Sequence, residues 1–211
     1  MTALDLALDY INRGWNPVPV PFRGKKPLDD EWQNRVIDAA AAPAHFNGNP
    51  MNVGVQLGVK SHNLNDVDLD CHEAIVMAAY ILPPTKAIFG RASKRNSHRL
   101  YYSDLPTRID KAVYQFHDPN TGEMLLELRI GGCGKGAQTV FPGSTHECGE
   151  PIKWETDGEV ATVAGNDLYR LACELAAYCL IARYWPSAGS RHRGALAAFW
   201  RASARPRSSS S

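Results

Sequence analysis

Long apolar runs are missing from this 211-residue chain. No uninterrupted stretch reaches the ~20 residues that cross a bilayer, and residues 1–12 carry Asp5 and Asp9 without a basic leader. The expectation is a soluble, cytoplasmic protein with no membrane partner. Cysteine is sparse: Cys71, Cys133, Cys148, Cys173 and Cys179 are odd in number and include no CxxC pair. That counts against a secreted disulfide framework and for reduced thiols. Cys133, His146 and Cys148 share one region, but they lack paired spacing and an obvious fourth ligand, which argues against zinc. Neither GxxxxGK[ST] nor GxSxG occurs, so P-loop ATPases and serine hydrolases have no support. Net charge is nearly absent, at +1, and overall basicity therefore gives no argument for a polyanionic partner.

The charge that is present is unevenly placed. Residues 86–99 hold Lys86, Arg91, Lys94, Arg95 and Arg99 with no acid among them, a patch that fits either a solvated loop or an anion site. Upstream, Asn65-Asp66-Val67-Asp68-Leu69-Asp70 reads as a strand. Alternation throws Asp66, Asp68 and Asp70 onto one face and Val67 and Leu69 onto the other. Carboxylates held side by side repel, and a fold keeps them where divalent ions, partner cations or protons compensate.

Periodicity organises the rest. Residues 3–13 have helical spacing, with Gly14 at the C-terminal cap. Residues 15–22 alternate valine and proline as an edge strand leading into the Gly24-Lys25-Lys26-Pro27 turn. Trp32 anchors a short helical or loop segment. Residues 52–59 form a strand expected to pair with the acidic strand as a hairpin across Ser61-His62-Asn63. A helix over 71–82 stops at Pro83-Pro84, and strands at 86–90 and 98–102 flank a basic loop. Residues 124–130 and 138–141 are further strands, and a polar loop containing Ser144 and His146 precedes Trp154. Asp167 is the expected cap of a helix over 168–185, stopped by Pro186. The Ser-rich end is too polar to order itself.

Polymerase-type phosphoryl transfer uses two divalent ions about 3.5–4 Å apart, held by carboxylates. Asp68 and Asp70 are the candidate ligands on the acidic strand, with Glu127 as a third from the 124–130 strand. Taken alone, a surface strand with three acids is an open alternative. Arg91, Lys94, Ser97 and His98 combine cations, a hydroxyl and an imidazole in a way that suits a triphosphate. Lys26 and Arg129 are further candidate phosphate or carboxylate partners, and Arg129 is equally a structural partner of Glu127 or an aspartate.

Together these elements resemble the bifunctional DNA primase/polymerase (Prim-Pol) family of the archaeo-eukaryotic primases, over about residues 7–192. Asp68-Leu69-Asp70 is similar to the family's first acidic motif, and Phe89 to His98 (FGRASKRNSH) to its Ser-x-His motif. Leu126-Glu127-Leu128-Arg129 resembles the third motif, with Glu127 as the remaining metal ligand. The segment from Gln138 through Ser144 and His146 looks like the next part of the family pattern. The resemblance implies an α+β fold, an RRM-like catalytic sheet packed with a second α/β unit and an active site in the cleft between them. It implies a catalytic domain at 1–186 and the start of a truncated helical region at 187–211. Activity would be template-directed DNA polymerase and primase, during replication of a plasmid, phage or integrated element. Asp68, Asp70 and Glu127 would bind Mg²⁺ or Mn²⁺, and Arg91, Lys94, Ser97, His98, Arg129, Ser144, His146 and Lys26 would hold nucleotide. Partners would be single-stranded DNA template and primer, nucleoside triphosphates and, as in family members that continue further, a replicative helicase. Arg99 departs from the apolar residue expected after the histidine, a change either neutral or adding a template contact. Two other readings stay open: a replication-initiation or single-stranded DNA binding module without turnover, and a metal-dependent nuclease.

Overall fold

The computed structural model describes residues 1–48 and 50–185. The start of the helical region and the Ser-rich tail at 187–211, and the Pro186 stop, lie outside the described residues. Among the described residues no helix is long and apolar enough to cross a membrane.

The chain opens with α1 (Ala3–Asn12), started by a capping box in which the Thr2 hydroxyl accepts from the Asp5 N–H and Asp5 accepts from the Thr2 N–H. Gly14, at φ +78°, turns the chain into β1 (Asn16–Pro21). Proline at every second position cannot donate to a ladder on both sides, which keeps β1 at an edge. It pairs antiparallel with β2 (Met51–Gln56), reached through the short helix α2 (Ala42–His45).

The next strand, β3 (Leu64–Leu69), joins a different sheet. The hairpin expected between β2 and β3 does not form; among the described residues the only ladder contact in this stretch is the isolated bridge of Gly58 with Leu64, within a turn closed by the Ser61 and Asn63 N–H groups on the Gly58 carbonyl. Left-handed backbone at Gly58, His62 and Asn63 swings the chain out of one sheet and into the other instead of closing a tight turn.

Beyond β3 come α3 (His72–Ile81), β4 (Ala87–Arg91) and β5 (Lys94–Tyr102). The expected basic loop is itself strand: Arg91 pairs with Lys94 across a two-residue turn, Ala92-Ser93, with a register shift beside Gly90. Asn96, at φ +57°, accommodates the sharp bend. A short helix, α4 (Leu105–Arg108), leads to β6 (Val113–His117) and β7 (Met124–Arg129). The chain then crosses back to the first sheet as β8 (Gln138–Val140), and returns as β9 (Lys153–Asp157) and β10 (Ala161–Thr162). It ends the described region in α5 (Gly165–Arg183). Asp167 sits in the first turn of α5 and is not its cap. Ala164 at the cap position has no acceptor, and Asp104 from the α4 region accepts the Gly165 N–H at 2.8 Å.

Two antiparallel-dominated sheets result, a mixed α/β architecture of the α+β kind. The small sheet runs β1-β2-β8 and the large one β6-β7-β3-β5-β4-β9, with β10 parallel to β5. One core lies between the two sheets and α1, built on Tyr10, Trp15, Val53, Phe89, Leu100 and Phe141. A second lies where α3 and α5 cover the other face of the large sheet, around Val67, Leu69, Tyr101, Leu126, Leu128 and Leu175. β3 is central, so its two faces are both covered: Val67 and Leu69 meet the helices, and Asp66 and Asp68 face the small sheet.

Candidate active site

Sheet register assembles the site. Asp68 of β3 lies directly opposite Glu127 of β7 on one side and His98 of β5 on the other. Directly opposed residues in an antiparallel sheet point to the same face. Asp70 follows just after the strand, and one carboxylate oxygen from each of Asp68, Asp70 and Glu127 falls within 4.8 Å of the others.

Internal cations hold this cluster together. Arg129 Nη2 bridges Asp68 Oδ2 at 2.7 Å and Glu127 Oε2 at 2.6 Å. Lys94 Nζ lies 2.7 Å from Asp70 Oδ1 and 3.8 Å from Asp68 Oδ1. Gln115 donates to Glu127 Oε1 at 2.7 Å. Burial pushes the Asp68 carboxyl up, but His98, Arg129, Lys94 and Lys25 together outweigh it and hold the group below the ordinary carboxylate range. Burial and the neighbouring Asp68 charge raise the Asp70 carboxyl, against the opposing hydrogen bond from Lys94. For His98, burial favours the neutral ring, yet Asp68 and Asp66 prevail and raise its pKa. Burial, mutual repulsion and the internal cations thus drive these two neighbouring carboxyls in opposite directions.

Beside the acids lies a cavity of about 290 Å³. Its lining comes from both sheets and the turn after β1: Asp68, Asp70, Arg91, Lys94, His98 and Arg129 from the large sheet, Gln138, Thr139 and Val140 from β8, Lys25 from the turn, and His146 and Glu147 from the following loop. Burial, together with the charges of Arg91 and Lys25, depresses the His146 pKa against Glu147 and Glu150.

The structure gathers Arg91, Lys94, His98, Arg129 and His146 at this cavity as the sequence indicated, and it moves others away. Lys26 is not among the residues lining the cavity; its neighbour Lys25, also exposed and paired with Glu147 at 2.8 Å, lines it instead. Ser97 is buried on the opposite face of β5 from His98, since adjacent strand residues alternate. Arg99 shares that hidden face and is likewise buried, so it is not placed to meet a template at the cavity. Ser144 is a buried tie between its loop and β2: its hydroxyl accepts from the Val53 N–H at 2.9 Å and donates to the Val53 carbonyl at 3.2 Å. In the stretch from Cys133 to Cys148, His146 and Cys148 are in contact at 3.0 Å, but among the described residues the acidic triad is the cluster with metal-ligand geometry. Thr139, Gln138 and Glu147 were not legible as site residues because their strand and loop are brought in from the other sheet.

The fold and site thus define an α+β protein with a carboxylate cluster set against a cation-lined cavity. A family model for the N-terminal domain of bifunctional DNA primase/polymerases (Prim-Pol) matches residues 7–166. The chain belongs to this family. Membership supports a nucleotidyltransferase-type enzyme with DNA and nucleotide substrates. No curated protein matches the chain.

Proposed function

We propose that residues 1–186 form the catalytic unit of a cytoplasmic DNA polymerase and primase, joining nucleotides to a 3′ hydroxyl on a single-stranded template, in the replication of a plasmid, phage or integrated element. The observation that carries this reading is the juxtaposition of three carboxylates with a cavity lined by Lys25, Arg91, Lys94, His98, Arg129 and His146. The strand order β7-β3-β5-β4, with α3 crossing between β3 and β4, supports the RRM-like description of the catalytic sheet, and the lining drawn from both sheets supports a cleft.

The donor set fits a hard divalent cation. All three ligands are carboxylates, and Asp68 Oδ1 is buried without a hydrogen-bond partner, a lone pair left for an ion. Asp68, Asp70 and Glu127 would hold Mg²⁺ or Mn²⁺, which supplies activation of the attacking hydroxyl and neutralisation of the triphosphate. Arg91, Lys25 and His146 would bind the outer phosphates, and Lys94 and His98, nearer the acids, those next to the reacting phosphorus.

Extension of a labelled primer on a single-stranded template with dNTPs and Mg²⁺ or Mn²⁺ tests this reading against the Asp68→Ala/Asp70→Ala variant. Product from the native chain and none from the variant is expected. A folded native chain that binds the DNA but makes no product would replace this reading with a binding module. Degradation of the label without nucleotide would replace it with a nuclease.

A further inference from the structure

Asp66 stands outside the acidic triad, although it shares the same face of β3. Its side chain is completely buried. One oxygen, Oδ2, accepts from the Thr139 hydroxyl at 2.7 Å and lies 3.0 Å from His98 Nδ1. A carboxylate only accepts, so Nδ1 of His98 carries a proton and donates it to Asp66. Phe89 stacks on the imidazole, with centroids 4.5 Å apart and planes 12° from parallel, and fixes the plane that Asp66 orients. Among the described residues no hydrogen bond engages Nε2, and His98 lines the cavity. The other Asp66 oxygen, Oδ1, is buried without a partner. A carboxylate so incompletely paired is a poor choice for stability alone.

We propose that, on the reading of this cavity as a nucleotide site, Asp66 is a positioning residue: by accepting from Nδ1–H it holds the His98 ring so that the Nε2 edge faces the incoming triphosphate, to which Nε2–H would donate. Thr139 references that orientation to the small sheet, since the same oxygen takes both hydrogen bonds. The ring is then set by three strands, β3, β4 and β8, before any nucleotide arrives. Such outer partners of a ligand-binding imidazole fix its aim.

Nitrogen NMR of the full-length chain labelled in the histidine ring reads this directly. In the native protein, Nδ1 of His98 should carry a slowly exchanging proton, and titration with dATP and Mg²⁺ should perturb Nε2 more than Nδ1. Asp66→Leu should abolish the slow exchange and weaken dATP binding about tenfold. Mn²⁺ binding at the acids should be retained in that variant. Asp66→Asn, which keeps an acceptor, should restore the Nδ1 proton and most of the affinity. A bare Nδ1 in the native chain overturns the proposal whether or not Asp66→Leu folds. So does a folded Asp66→Leu that binds dATP like the native chain. A native chain that binds no dATP at any concentration refutes the nucleotide reading itself, and the role of Asp66 with it. The two failures are therefore separable.

Discussion

Replacing Lys94 with methionine should move metal and nucleotide affinity in opposite directions. Its ammonium sits 2.7 Å from Asp70 and 3.8 Å from Asp68, in the space between two of the three candidate ligands. An arriving divalent ion must displace or share that charge. A pair of unit charges about 4 Å apart is worth ~4 kcal/mol at an effective dielectric of 20. The Lys94 side chain is 19% exposed, and part of that interaction is returned to solvent when the lysine swings away. A net competition of about 1.4 kcal/mol, or tenfold in affinity, is therefore the working magnitude. Methionine keeps the apolar stem and removes the charge. Free Mn²⁺ measured by electron paramagnetic resonance, without nucleotide, should give a dissociation constant about tenfold lower for Lys94→Met than for the native chain. Calorimetric titration of dATP at saturating Mn²⁺ should show weaker binding in the same variant, because the displaced ammonium is then a phosphate ligand. Unchanged or weaker Mn²⁺ binding in folded Lys94→Met would refute the idea that this cation holds the metal's place.

Three further outcomes follow from the same geometry. Saturating Mn²⁺, at about 100 times its dissociation constant, should stabilise the native chain by ~2.7 kcal/mol and raise Tm by about 5–10 °C; in Asp68→Asn the shift in differential scanning calorimetry should largely vanish. Asp118 is buried and bonded to Arg183 and Tyr184. Burial raises its carboxyl pKa, but the Asn120 N–H, Arg183 and Tyr184 outweigh it and hold the value below the ordinary one. Its contribution is thus complete above the unfolded carboxylate range near pH 4 and disappears as pH falls through the folded value. Urea midpoints should accordingly drop less steeply below about pH 4 in Asp118→Asn than in the native chain. Gly131, at φ +60°, would bring a Cβ to 2.5 Å from the Leu57 carbonyl oxygen. Gly131→Ala should therefore cost at least about 2 kcal/mol in chemical denaturation.

The parts of the site carried by short-range pattern were legible in the sequence. Alternation along β3 and β7 placed Asp68 and Glu127 correctly, because a strand assigns its faces with a period of two whatever its neighbours are. The helices α1 and α3 were likewise readable from spacing and from their stop signals. What failed depended on distant partners. Pairing of β2 with β3 looked natural because they adjoin in sequence, but β2 finds β1 and β8, and β3 finds β5 and β7. The hairpin of β4 and β5 was hidden by its charge, since Arg91 and Lys94 read as loop until the carboxylates opposite them are known. Asp66 has no role readable from the strand pattern alone, because its partner Thr139 lies 73 positions away. Asp104 as the acceptor for the start of α5, and the choice of Lys25 over Lys26, are similarly facts of tertiary placement.

The alignment of Asp68 between Glu127 and His98 has an implication for inheritance and design. The distance between opposed residues on neighbouring antiparallel strands, about 4.5–5.5 Å, is a property of the backbone ladder and hardly varies among proteins. The spacing of these three functional groups is consequently borrowed from the sheet and needs no tailored packing to maintain it. Loops around such a site are free to lengthen, shorten or change composition while the ruler underneath stays the same. By the same token, the triplet is portable: any three adjacent antiparallel strands that present an acid, an acid and a histidine in one row begin with the correct separations, and need the third carboxylate and the flanking cations to complete the set.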